Sequence, residues 1–387
     1  MYKVINRDIA DLLKSYAAEF RSVLIVGPRQ SGKTTLAKIC FPNKPYVSLE
    51  NPDERELAFH DPRAFLNRFP TGAILDEVQR APLLMNYLQE ILDSSSEDGL
   101  FILTGSNNIL LAEYITQSLA GRVGILDLLP LSYNEIPKDD TEDNLADLIL
   151  TGFYPEIIAK KRNASVWYNS YIRTYIERDV RQIKQINDVL LFQKFLRLCA
   201  GRVGQQLNLS NISNDCGINV RTAQSWISIL ESTYIVRLLA PFHENFNKRL
   251  VKSPKLYFYD TGLACALLSI KKKEELLLSH FRGALVENFI VIDCIKNDLN
   301  FQTGNQYYYW RDNNEVEIDL IQYNGNHALP IEIKSAQTYT KDFEKNLLKF
   351  MAYSGQNSGM VIYDGMQTFK GTNGIEVKNW KDFLIKE

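Results

Sequence analysis

Cysteine is scarce in this 387-residue chain, and its five copies are scattered. Cys40, Cys199, Cys216, Cys265 and Cys294 form no C-x-x-C and give no disulfide framework to read. The four histidines make no metal-spaced pair, so a zinc site is not expected. No stretch approaches the roughly 20 apolar residues of a membrane span. The opening MYKVINRDIADLL has no apolar secretory core. These absences predict a protein of the reducing cytoplasm with no membrane partner. Low-complexity tracts and internal repeats are missing too, which excludes solenoids and long disordered arms. A net charge of −2 gives no basic field, so any nucleic-acid contact would need a local basic face. With 45% hydrophobic and 23% charged residues the chain is globular in composition. Its length exceeds one ordinary core and predicts about two or three domains.

Against that background one stretch stands out. Gly27-Pro28-Arg29-Gln30-Ser31-Gly32-Lys33-Thr34-Thr35 fits G-x-x-x-x-G-K-[ST], between the apolar run Ser22 to Val26 and a helix-forming segment from Lys33. Strand, loop and helix follow in the order such a loop requires. The glycines let successive backbone N–H groups turn toward phosphate oxygens, and the helix N-terminus adds partial positive charge. Lys33 is then expected at the β- and γ-phosphates of ATP and Thr34 on Mg²⁺. AILDEVQR supplies the carboxylates for hydrolysis: Asp76 at a strand end for the Mg²⁺ shell, Glu77 to orient and deprotonate the attacking water.

Helices are expected over 5–20 and 82–92, and strands at 46–49, 73–75 and 100–103. Strands alternating with helices imply a parallel sheet with the ligand at its carboxyl ends. Ser106 or Asn107, in Thr104-Gly105-Ser106-Asn107, is a candidate sensor of the γ-phosphate, or else a helix N-cap. Arg122, before the strand 123–128, is a candidate to neutralise transition-state charge on its own ATP or a neighbour's; the alternative is a surface ion pair with Glu135 or Asp127.

Gly27-x4-Gly32-Lys33-Thr34, the LDEVQ segment, LTGSNN and SLAGRVGILDLLPLSYNE together resemble the AAA-superfamily ATPases of a widespread prokaryotic group. In that group the ATPase is fused to a C-terminal region of unknown function. The resemblance covers nearly the whole chain. It implies an ASCE-type sheet, Asp76 and Glu77 in the roles above, and Arg122 as the family arginine. What the ATPase drives is not implied.

Beyond an acidic linker at 139–144, helices over 145–161 and 166–183 read as a lid, with Arg178 and Asp179 on its solvated face. From Val189 to Leu239 a short helix, a turn at Gly217 and a second helix from Val220 resemble a helix-turn-helix, with strands 235–239 and 256–259 as a wing. Arg221, Thr222, Gln224 and Ser225 would face a DNA major groove, and Lys248, Arg249, Lys252 and Lys255 its backbone. The same fold also serves protein contact.

Residues 282–296 read as a helix apolar nearly all round, with the acid Glu287 set inside it. Downstream, Asp319 on one strand and Glu332-Ile333-Lys334 on the next are expected to converge. The set resembles the PD-(D/E)xK nuclease core, although Ile318 stands where the motif's name has proline. The resemblance implies Glu287, Asp319 and Glu332 as oxygen ligands for Mg²⁺, with Lys334 positioning water or steadying the phosphorane. An inactive relative that keeps the fold for binding is the alternative. The tyrosines of 302–310 form a strand or stack on bases.

The expected fold is α/β: a P-loop ATPase domain (1–138), a helical lid or linker (139–185), a winged-helix-like unit (186–262) and a restriction-endonuclease-like domain (263–387). Either ATP turnover drives a DNA-cutting domain, or the chain is a nucleotide-dependent switch that grips DNA or protein without cutting. Oligomeric state stays open at this level.

Overall fold

The computed structural model describes residues 4–106, 119, 121–138, 144–176, 188–242, 253–312, 315–371 and 373–385. Residues 139–143 of the expected 139–144 linker, residues 177–183 of the expected lid helix with Arg178 and Asp179, the candidate sensor Asn107, and Lys248, Arg249 and Lys252 lie outside these residues.

Helix α1 (Ala10–Glu19) leads into β1 (Ser22–Val26), whose five side chains are all buried. Then come α2 (Lys33–Cys40), β2 (Tyr46–Ser48), α3 (Pro52–His60), α4 (Pro62–Asn67), β3 (Ala73–Asp76), α5 (Leu84–Ser94), β4 (Phe101–Gly105) and β5 (Val123–Asp127). The prolines at the first turns of α3 and α4 start those helices where a missing N–H costs nothing, and Asn51 and Asp61 cap them. The five strands form one sheet in the order β2-β3-β4-β1-β5, every neighbour pair parallel. This is the parallel sheet expected. Both faces are covered, so the strands read as continuous apolar runs.

A helical region follows: α6 (Leu145–Thr151), α7 (Pro155–Lys160), α8 (Ala164–Tyr171), α9 (Val189–Ala200), α10 (Leu209–Cys216) and α11 (Val220–Ser232). Asn208 and Asn219 cap α10 and α11, and Gly217 between them takes the left-handed backbone that ends α10. Strands β6 (Val236–Leu239) and β7 (Lys255–Phe258) pair antiparallel.

After α12 (Thr261–Leu267) and α13 (Lys273–Leu278) comes the 20-residue α14 (Arg282–Phe301). A second sheet then forms from β8 (Gln306–Arg311), β9 (Glu317–Tyr323), β10 (Ala328–Lys334), β11 (Gly359–Tyr363), β12 (Phe369–Lys370) and β13 (Ile375–Asn379), with α15 (Lys345–Ser354) before β11 and α16 (Trp380–Leu384) at the end. Its order is β12-β13-β11-β10-β9-β8, with an antiparallel meander β8-β9-β10 and parallel pairing from β10 through β11 to β13.

One apolar core runs from the first sheet through the helical region to α14 and the inner face of the second sheet. Backbone bonds also stitch the chain after β6 to edge strand β8: Phe242 N–H donates to Tyr309 C=O at 2.6 Å, and Tyr309 N–H to Ala240 C=O at 3.1 Å. Among the described residues no helix is long and apolar enough to cross a membrane.

Candidate functional site

The loop after β1 requires glycine at its first position. Gly27 has φ 151°, and a Cβ there would drive into the carbonyl oxygen of Leu128. Gly32, at φ 98°, opens α2. Lys33 is buried and folds back over the loop, donating to the carbonyls of Gly27 at 3.0 Å and Pro28 at 2.8 Å. Thr34 Oγ1 donates to Asp76 Oδ1 at 2.7 Å, which joins the loop to the end of β3. Asp76 also accepts from the Thr104 hydroxyl and, at 2.9 Å, from the Tyr46 hydroxyl. Burial and then the charge of Asp76 push the Tyr46 phenol up to about 12, so it remains a donor. The Ser31 hydroxyl is buried without a hydrogen-bond partner. Arg29 lies 3.9 Å from Glu50.

Above the loop is a cleft of about 860 Å³. Its floor is Gln30 to Thr35 with Glu77, and its walls are Val4 to Arg7 on one side and the Pro155 to Lys160 helix on the other. Glu77 sits at φ 59° in the turn after β3. Its carboxylate accepts from the Gln79 amide and, at 3.2 Å, from the Ser106 hydroxyl, while Gln79 also donates to Ser106 at 2.8 Å. Ser106, a proposed sensor, therefore contacts the proposed base.

Sequence reading missed Arg7, Tyr46, Thr104 and Gln79. Thr104 and Gln79 stood inside quoted motifs, and their polarity at a strand end was the available signal. Arg7 gave none. Its guanidinium donates to Ser31 C=O and Leu129 C=O, both at 2.7 Å, and to Glu135 Oε1 at 2.9 Å. Glu135 is held further by the backbone N–H of Asp8 and of Ser132, each at 2.8 Å.

Arg122 needs a correction. Ser22 N–H donates to Arg122 C=O, which puts Arg122 at the starting edge of the sheet, whereas the loop follows Val26 at the other edge. Four residues of parallel strand, about 13 Å, separate the two edges. Arg122 thus lies at the end of the sheet opposite its own phosphate loop. It pairs with Asp93 rather than with Glu135 or Asp127, its Nη2 lying 3.1 Å from Asp93 Oδ2.

In the C-terminal half, α14, β9 and β10 bring acids together. Lys334 contacts Glu332 and lies 3.5 Å from Asp319, so both carboxyls reach one ammonium. Ile333 N–H donates to Asp319 Oδ2 at 2.8 Å. Burial, and then the charge of Asp319, push the Glu332 carboxyl well above the usual range. Burial also works to raise Asp319, but Lys334 and Lys255 hold it below its ordinary value.

Of the expected trio, Asp319 and Glu332 share Lys334, and Glu287 and Asp319 share Lys255. Among the described residues no three His, Cys, Asp or Glu side chains are grouped to hold a metal ion. Lys255 stands among these acids, its ammonium 2.9 Å from Glu287 and 3.9 Å from Asp319. That also corrects the expectation for Lys255 itself: it is 1% exposed and faces acids, not a phosphate backbone. On α11, Arg221 and Gln224 are exposed, while Thr222 and Ser225 are half-buried.

Residues 19–137 match the family model described as an AAA domain, 142–274 a domain of unknown function (DUF8612), and 282–383 another (DUF4143). The chain thus joins a region similar to AAA domains to a C-terminal region similar to the DUF4143 family. An uncharacterized protein of Mycobacterium tuberculosis is 29% identical over 338 residues, covering 86% of this chain and 74% of that protein. One of Haemophilus influenzae is 20% identical over 274 residues, 67% of this chain and 64% of its own. Among solved structures, the Walker-type ATPase of Pyrococcus abyssi aligns with a TM-score of 0.46 at 15% identity, over 68% of this chain and 96% of that one.

Proposed function

We propose that this chain binds ATP with Mg²⁺ in the cleft over Gly27 to Thr35, hydrolyses it, and uses turnover to act on its C-terminal half. The observation that carries this is the 2.7 Å bond from Thr34 to Asp76, two hard oxygen donors joined where the loop meets the end of β3. That pair fits Mg²⁺, which when bound would neutralise charge on the phosphate oxygens. Lys33 exchanges the Gly27 and Pro28 carbonyls for phosphate oxygens, and the buried Ser31 hydroxyl has bonding capacity to offer. Glu77 orients the attacking water and takes its proton, steadied by Ser106 and Gln79. Lys33→Ala should lose nucleotide affinity. Glu77→Gln should keep ATP bound while turnover falls on the order of 10²- to 10⁴-fold. Equal turnover in Glu77→Gln and wild type overturns the assignment.

For the C-terminal half, the reading is a PD-(D/E)xK nuclease-like fold preceded by a winged helix. Its support is the succession of α14 with Glu287, the meander with Asp319 and Glu332-Ile333-Lys334, then α15 and parallel β11. Of the two functions such a half allows, the lysine among its acids favours the nucleotide-dependent switch that grips DNA or protein without cutting. DNA would meet α11 at Arg221, Thr222, Gln224 and Ser225. Plasmid and linear DNA incubated with the chain, with and without ATP, decide the matter. Cleavage abolished by Asp319→Ala would replace the switch with a nuclease.

A further inference from the structure

We propose that Lys255 is an internal cation that closes the acidic centre of the C-terminal sheet to a divalent metal. This rests on reading that sheet as nuclease-like, a fold whose chemistry needs such an ion. The side chain comes from outside the sheet, on β7, and its ammonium contacts acids from two elements: Glu287 of α14 at 2.9 Å, and Glu317 and Asp319 of β9 at 2.5 and 3.9 Å. With Lys334 on Asp319 and Glu332, and Arg311 3.1 Å from Glu317, three cations already serve the four carboxyls of this centre, Arg311 also pairing with the exposed Glu315.

A dication would enter a site whose charge is nearly balanced. Its geometry also conflicts with the one present. Mg²⁺ draws oxygens to about 2.1 Å in an octahedron, whereas these carboxylates are spread around an ammonium at 2.5 to 3.9 Å and no three of them form a ligand set.

Lys255 has little freedom to leave. Gly204 N–H donates to Leu256 C=O at 2.8 Å, Leu256 N–H to Gln205 C=O at 3.0 Å, and Leu207 N–H to Pro254 C=O at 2.7 Å. One turn of α14 then fastens Tyr257 and Phe258, two and three residues further along the strand. Tyr257 donates its hydroxyl to Glu287 at 2.5 Å, and the Asn288 amide accepts from Phe258 N–H at 2.7 Å and donates to Phe258 C=O at 2.8 Å. Lys334 belongs to the motif this sheet resembles. Lys255 is additional, and it sits on the acid that the motif assigns to the helix.

The test is Mn²⁺ binding followed by electron paramagnetic resonance on the full chain without nucleotide, so that no phosphate brings an ion to the P-loop. Wild type should show no Mn²⁺ that Asp319→Asn removes. Lys255→Met, shown to be folded by its melting curve, should gain one bound Mn²⁺ that wild type lacks, and Lys255→Met with Asp319→Asn should lose it. Lys255→Arg, which keeps the positive charge, should stay closed. A wild-type Mn²⁺ lost on Asp319→Asn overturns the proposal whatever the variants do, as does a folded Lys255→Met that binds none. DNA cleavage separates the two readings. If Lys255→Met binds Mn²⁺ but cuts neither plasmid nor linear DNA, the nuclease-like chemistry falls and the role of Lys255 stands.

Discussion

Arg7 joins three parts of the chain through one guanidinium: the phosphate loop at Ser31, the segment after β5 at Leu129, and the buried carboxylate of Glu135. Both charges of the pair are out of water, with side-chain exposures of 7% and 0%. Removing one partner of a buried pair leaves the other uncompensated and costs about 3–5 kcal/mol. Arg7→Ala should therefore lower unfolding free energy by about that amount in a denaturant titration. It should also weaken nucleotide binding, because Ser31 loses its brace. Unchanged nucleotide affinity in a folded Arg7→Ala would show that the loop holds its shape without that contact. This residue also marks where sequence reading stops. Gly27 to Thr35 are legible because nine adjacent positions carry the whole signal, and Asp76 follows once a sheet is granted. Arg7 was invisible because its carboxylate lies 128 positions away. Lys255 was misread because strand period alone cannot tell an exposed wing from a strand covered by acids 32 or more positions downstream.

At the scale of the element, α14 shows the same limit in another form. Its apolar face and Glu287 were legible, but Asp293, Lys296 and Asn297 recur at the spacing of a solvated face. Instead they meet the first domain. Asp293 accepts from Tyr133 N–H at 2.7 Å and from Asn297 at 2.9 Å, and Lys296 donates to Leu131 C=O at 2.8 Å while lying 4.4 Å from the centre of the Phe153 ring. Tyr133 follows Ser132, whose N–H bonds Glu135, so the helix bearing Glu287 is packed onto the segment that Arg7 ties to the phosphate loop. Burial raises the Asp293 carboxyl from 3.8 to about 6, with Lys296 pulling the other way. A raised folded-state value means that the protonated form is the one folding favours. The contribution is complete below pH 3.8 and is lost as pH climbs through about 6. Asp293→Asn keeps the acceptor for Tyr133 and removes the titration. Relative to this variant, wild type should lose about 2–3 kcal/mol between pH 4 and pH 7. Parallel stability curves for the two proteins across that window would mean that Asp293 is not desolvated as its position implies.

At the scale of the molecule, the position of Arg122 bears on assembly. The residue stands at the edge of the first sheet opposite its own phosphate loop and is held there by an exposed pair with Asp93. Exposed pairs of this kind contribute little stability and are weakened by salt, so Asp93 is a poor competitor for the guanidinium. An arginine on that edge could serve a nucleotide only if a second copy presented its loop, which would make hydrolysis a property of neighbouring subunits. Three outcomes follow from that geometry. Turnover per chain should rise with protein concentration. Arg122→Ala should bind ATP normally but lose on the order of 10³-fold or more in turnover, the scale seen for arginines that stabilise transferring phosphoryl groups. Mixing Arg122→Ala with Lys33→Ala should then recover activity that neither has alone, because one copy supplies the intact loop and the other the intact arginine. Absence of recovery, with turnover per chain independent of concentration, would leave Arg122 as a surface partner of Asp93, and the first domain would have to complete its site from residues of a single chain.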